Sequence, residues 1–237
     1  MRVLAQPAFV LHARPWRETS LIVELLTRDH GRVGVVARGV QGANRHPLRA
    51  ALQPLQLLRA DFLPRGELAR LLQAEAVDAA PRLAGEALMA AFYVNELVLR
   101  LLPRNDPAPE LFERYGELRS RLGDNAALAW QLRRFERDLL ELLGYGLSFE
   151  EGEDGEPLDP AARYLLDAER GALRDRSHAQ GSTSGAALLA LAQDRQPPPE
   201  QLQELRGALR GVLATHLGPT GLKSWGLLSE LARLGRP

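Results

Sequence analysis

TSLIVELLTRDHGRVGVVA, residues 19 to 37, places Leu21, Ile22, Val23, Leu25 and Leu26 before a turn at Arg28-Asp29-His30-Gly31, and Val33, Val35 and Val36 after it. Two apolar runs of strand length, broken by Asp and Gly, predict a hairpin. Upstream, Ala8 to His12 is a further short apolar run. Downstream, Leu52 to Ala60 and Leu68 to Val77 offer two more strands, although the Leu and Ala content of the last leaves strand and helix both open. Five short strands in about 80 residues match the size of a five-stranded oligonucleotide-binding (OB) barrel.

Beyond Pro81 the apolar period becomes helical. Leu83 to Leu102 carries one broad stripe that includes Ala87, Ala91, Val94, Val98 and Leu101, and a Pro-rich loop from Pro103 to Pro109 ends it. Glu110 to Leu122 and Ala126 to Leu143 continue as amphipathic helices, with Gly144 as the stop. Glu150-Glu151-Gly152-Glu153-Asp154-Gly155-Glu156 has the composition of a solvated loop, and the segments flanking Glu169-Arg170-Gly171 suit a small hairpin. Ser and Thr in Gly181-Ser182-Thr183-Ser184-Gly185 can cap a helix from Ala186 to Gln193; helices from Glu200 to Leu217 and Lys223 to Leu234 follow. The expected class is α+β: an OB-fold nucleic-acid-binding domain over residues 1–80, then a helical domain over 81–237 with an acidic loop and hairpin inserted at about 148–176.

The chain has 237 residues, zero net charge and no cysteine. Lack of cysteine removes disulfides, thiolate catalysis and cysteine zinc sites. His12, His30, His46, His178 and His216 are scattered without HExxH or i, i+4 spacing, and the acidic loop lacks the ligand spacing of a calcium site, so no metal or other cofactor is expected. Gly181-Ser182-Thr183-Ser184-Gly185 has Thr where a nucleophile elbow needs Ser, and Gly218-Pro219-Thr220-Gly221-Leu222-Lys223-Ser224 has the wrong spacing for a phosphate loop. No catalytic constellation emerges, so a binding protein rather than an enzyme is expected. MRVLAQPAFVLHARP shows no basic head with a long apolar core, and no uncharged apolar run reaches membrane-spanning length; a soluble, cytoplasmic protein is expected, with no membrane association.

The neutral total hides an uneven layout. Residues 1–80 carry a charge of +4, 141–199 carry −6, and 200–237 carry +2. From His30 to Ala60 there is no Asp or Glu, yet Arg32, Arg38, Arg45, Arg49 and Arg59 are present. A basic strip without neutralising carboxylates attracts polyanions, nucleic acid first among them. Arg38, Arg45 and Arg49 are expected on one loop beside the barrel. Aromatic platforms are scarce: Phe9, Trp16 and Phe62 are the only aromatic residues in the first 80, and each equally suits a core. Of the thirty basic residues only Lys223 is lysine, which reads as coding bias, so Arg by itself proves no bidentate phosphate recognition. Arg133, Arg134 and Arg137, with Trp130 and Phe135, offer either a solvated amphipathic helix or a basic-rimmed apolar groove for an acidic peptide. A protein-interaction scaffold is the rival to a nucleic-acid binder.

The ordered set Phe9-Val10-Leu11-His12, Arg14-Pro15-Trp16, Glu18-Thr19-Ser20, Gly31-Arg32-Val33, Ala37-Arg38-Gly39, Leu52-Gln53-Pro54, Tyr93-Val94-Asn95-Glu96-Leu97, Leu132-Arg133-Arg134-Phe135-Glu136, Leu143-Gly144-Tyr145-Gly146 and Leu222-Lys223-Ser224 resembles the bacterial recombination mediator family RecO over nearly the whole chain. The resemblance implies a non-enzymatic DNA repair and recombination protein that binds single- and double-stranded DNA and anneals complementary strands. It also implies partnership with RecR, and in many bacteria RecF, in loading RecA onto DNA coated by single-strand-binding protein (SSB), within the cytoplasm at the nucleoid. Arg14, Arg32, Arg38, Arg45 and Arg49 are then the candidate DNA contacts, and Arg133, Arg134 and Lys223 the candidate counter-charges for the acidic SSB tail. Two departures stand out. Some relatives carry a cysteine zinc module where this chain has Ser148-Phe149-Glu150-Glu151-Gly152, and Trp225 stands where relatives of enteric type place an Arg.

Overall fold

The computed structural model describes residues 2–41, 47–177 and 179–226. Strands β1 (Val3–Trp16), β2 (Ser20–Thr27), β3 (Gly31–Ala37), β4 (Leu57–Leu63) and β5 (Ala69–Ala76) close into a barrel in the order β1-β2-β3-β5-β4, with a short helix α1 (Pro47–Ala51) between β3 and β4. Every pairing is antiparallel except β3 with β5, which is parallel. This is the OB-like barrel that the strand count predicts.

Period-two alternation explains the closure. Val10, Val23, Leu25, Val35, Leu58, Ala60 and Phe62 point inward into one apolar core, while alternate residues such as Glu24, Arg59 and Asp61 face out. The segment from Leu68 to Val77 is a strand, because Ala69 and Leu71 fill the core and Arg70 and Leu72 stay exposed. β4 begins only at Leu57, later than its apolar run suggests: the Leu52 N–H closes α1 on the Leu48 carbonyl at 3.1 Å, and Leu55 takes φ +70°, which no strand continues through.

Helices α2 (Gly85–Leu101) and α3 (Pro109–Arg121) form one compact unit with the barrel, ending at Gly123; Asp124–Trp225 forms a second. The unit boundary thus lies later than the change of period at Pro81. Phe9 on the outside of β1 is the reason, since its ring sits 4.7 Å from Phe112 and 4.9 Å from Tyr115 of α3. Asn95 of α2 donates to the Leu11 carbonyl at 2.8 Å and accepts from the Tyr115 hydroxyl at 2.6 Å. Arg119 binds the Leu55 carbonyl and, through both terminal nitrogens, Asp78 at 2.8 and 2.9 Å.

The second unit holds α4 (Leu128–Leu142), a sheet of β6 (Arg163–Asp167), β7 (Gly171–Asp175) and β8 (Thr183–Ser184) in the order β7-β6-β8, and helices α5 (Gly185–Ala192) and α6 (Pro199–Leu217). The hairpin expected around Glu169-Arg170-Gly171 is β6–β7, its turn fixed by Asp167 accepting from the Glu169 and Arg170 N–H groups, both at 2.9 Å. The acidic loop is held by chain contacts: the Gly152 N–H donates to the Glu156 carbonyl at 2.9 Å, and Glu153 accepts from Arg170 at 2.5 Å. Glu204 of α6 joins β6 to β8, accepting from Arg163 at 2.9 Å and from the Ser184 N–H and hydroxyl at 2.9 and 2.7 Å. Residues 223–226 are helical; the rest of the helix expected to Leu234 lies outside the described residues.

Candidate nucleic-acid interface

The outside of the barrel divides into two halves. One half is occupied by the chain's own loops. Glu24 on β2 accepts from Arg32 on β3 at 3.2 Å and from Arg104, which follows α2. Arg32 also donates to the Leu102 carbonyl at 2.8 Å, and the Asn105 N–H to the Arg32 carbonyl at 3.0 Å. Gly31 and Gly34 permit this approach: a Cβ on Gly31 (φ +62°) would overlap the Asp106 carbonyl, and one on Gly34 would lie 2.7 Å from Leu68 and 3.0 Å from Arg104. Arg32 is therefore 15% exposed at its side chain, its pKa lowered mainly by burial, with the Glu24 charge acting against that.

The other half carries arginines without such partners among the described residues. The register runs Arg14–Ile22–Val36–Arg70 across β1, β2, β3 and β5, with Leu63 of β4 opposite Arg70. Three strand spacings separate Arg14 from Arg70 by about 14 Å. Trp16 pairs with Ser20 two residues further along β1, and Arg38 follows Ala37, whose partner is Leu21. Arg14, Arg38 and Arg70 are exposed, and none makes an ion pair among the described residues. Beyond Phe9, β1 leaves β4 and runs on with β2 alone, so Arg14 and Trp16 stand on a projecting hairpin. Because β1 and β4 run antiparallel, the β1–β2 loop with Arg17 and the β4–β5 loop with Arg65 leave opposite ends of the barrel wall; these are the two loops that serve ligand binding in OB barrels.

The expected DNA contacts therefore separate. Arg14 and Arg38 lie on the half without ion pairs among the described residues, whereas Arg32 is engaged by Glu24 and the Leu102 carbonyl. Arg49 is exposed, but on α1 rather than on a loop with Arg38, and Arg45 lies outside the described residues. Arg70 was not singled out from the sequence; only the parallel β3–β5 pairing brings it beside Val36. In the second unit, the three arginines of α4 are internally committed. Arg133 is buried against Glu136 at 2.5 Å, Arg134 grips Asp194 at 2.6 and 2.7 Å, and Arg137 binds Asp138 and the Leu191 carbonyl. Among the described residues each of these three guanidinium groups meets a carboxylate. Lys223 is exposed, and nearby in sequence Trp225 lies against the Arg210 guanidinium, 4.6 Å from its ring centroid.

Two family profiles cover the chain: "Recombination protein O N terminal" matches residues 1–80 and "Recombination protein O C terminal" matches residues 82–226. The chain belongs to the RecO family. It is 55% identical over 240 residues to the DNA repair protein RecO of Xanthomonas campestris pv. campestris strain B100, covering 99% of this chain and 100% of that protein. It is 58% identical over 228 residues to the RecO of Stenotrophomonas maltophilia strain R551-3, covering 94% and 95% respectively. The barrel of this chain thus carries exposed arginines without ion pairs among the described residues on one half, and on the other a cluster in which Arg32 and Arg104 share Glu24. Among the described residues no helix is long and apolar enough to cross a membrane, and no three His, Asp or Glu side chains group as metal ligands would.

Proposed function

We propose that this chain is a non-enzymatic DNA-binding recombination mediator, which binds single- and double-stranded DNA and anneals complementary strands. With RecR, and RecF where that partner exists, it helps load RecA onto SSB-coated DNA in the cytoplasm, at the nucleoid. The observation that carries this reading is the group of exposed Arg14, Arg38 and Arg70 on the barrel, which have no carboxylate partners among the described residues. Guanidinium groups that are not neutralised internally can replace the counterions of a phosphate backbone and reduce the repulsion between two strands. Because phosphates look alike in every sequence, such a face binds with little base preference.

We place the acidic, apolar tail of SSB on the second unit, at Lys223, two residues before Trp225, whose ring lies against the Arg210 guanidinium. Arg133 and Arg134 support this unit from within through Glu136 and Asp194. Annealing of complementary oligonucleotides, bare and SSB-coated, tests both parts. Wild-type protein accelerates both reactions, and Lys223→Glu slows the coated reaction while leaving the bare one unchanged. A wild-type protein that binds neither strand would instead be a protein scaffold.

A further inference from the structure

We propose that Trp16 is a base-stacking residue that makes the barrel face favour single strands over duplex. This rests on the DNA-binding reading above and adds to it a specific contact. Of the three aromatic residues in the barrel strands, Phe9 and Phe62 are 4% and 2% exposed, whereas Trp16 is 38% exposed. A side chain with so much apolar surface is normally covered, and here its cross-strand partner is only the small Ser20. Trp16 also stands at the tip of the β1–β2 extension beside cations: the Arg14 guanidinium lies 5.7 Å from its ring centroid, and Arg38 is on the adjoining strand end. Phe92, the other widely exposed aromatic of this unit, is on α2 and has no place in this row.

An indole next to unpaired guanidinium groups suits a nucleotide: the ring meets the base while the cation meets its phosphate. Bases in duplex are already paired and stacked, so their faces are closed to such a ring. Stacking therefore adds affinity for single strands alone, on top of a charge term common to both forms.

The test compares wild type, Trp16→Leu and Trp16→Phe by fluorescence anisotropy, using a labelled oligothymidine, an abasic oligomer of the same length, and a duplex. Trp16→Leu weakens oligothymidine binding by about 10-fold, within the range one stacked base contributes. It leaves abasic and duplex binding and the salt slope unchanged, and Trp16→Phe recovers part of the loss. Retained duplex binding shows that the variant is folded. Equal losses on all three ligands, or no loss on oligothymidine, overturn the stacking assignment while leaving DNA binding intact. Lack of salt-sensitive binding by the wild type overturns the underlying reading instead.

Discussion

Replacing Arg14, Arg38 and Arg70 together by Ala removes three cations that have no ion pair among the described residues, so the change acts on the ligand rather than on an internal salt bridge. If each meets one phosphate of a single strand, the slope of log K against log salt becomes shallower by about 2, at roughly 0.7 per phosphate. This term vanishes near 1 M salt, so at 0.15 M the same three contacts are worth about 1.7 log units, or roughly a 50-fold loss of affinity. Titrations of a labelled oligonucleotide from 0.05 to 0.5 M salt read both quantities. Arg32→Ala provides the internal comparison: its guanidinium serves Glu24 and the Leu102 carbonyl, so the slope should stay while thermal stability falls. A triple variant with an unchanged slope, or an Arg32 variant with a shallower one, would refute the division of the barrel into a half of cations without ion pairs and a half where Arg32 and Arg104 share Glu24.

Two further outcomes follow from the supporting structure. Tyr115→Phe deletes the hydroxyl that donates to the buried Asn95 amide oxygen at 2.6 Å, and chemical denaturation should show a loss of about 1 to 3 kcal/mol from the unsatisfied acceptor, with DNA affinity at neutral pH retained. Burial tends to raise the pKa of Glu204, but the Ser184 donors and Arg163 outweigh it and hold the carboxyl below its ordinary value. A depressed folded pKa contributes stability that is full above the unfolded value of about 4.3 and lost as pH falls through the lower folded value. Urea midpoints measured from pH 6 down to pH 3 should therefore fall less steeply for Glu204→Gln than for wild type, and equal slopes would remove Glu204 from the acid response.

The barrel strands and the long helices were legible because their burial patterns are local: alternation over Val33 to Ala37 and a broad stripe along α2 need no knowledge of the rest of the chain. The candidate site was only half legible. A run without Asp or Glu correctly marks a region of positive charge, but cannot say that Glu24 and Arg104, both outside that run, close around Arg32. Nor can it place Arg70 beside Val36, since parallel pairing of β3 with β5 is a product of barrel closure. Arg133 with Glu136 is an i, i+3 pair that helical spacing does reveal. The Arg134–Asp194 pair depends on how α4 and the end of α5 pack and leaves no mark in local sequence. The reach of the first compact unit to Gly123 was hidden for a related reason: α2 and α3 have the periodicity of a separate bundle, yet Phe9 holds α3, and the Asn95–Leu11 hydrogen bond holds α2, against the barrel.

The natural lack of cysteine makes site-directed cross-linking the most direct measurement of the central claim. Leu63→Cys places a thiol opposite Arg70, and Phe92→Cys places one on exposed α2 surface of the same unit. With a thiol-reactive group carried on a single-stranded oligonucleotide, the account predicts rapid, salt-sensitive cross-linking at position 63 and little at position 92. Cross-linking at position 92 with none at position 63 would contradict it.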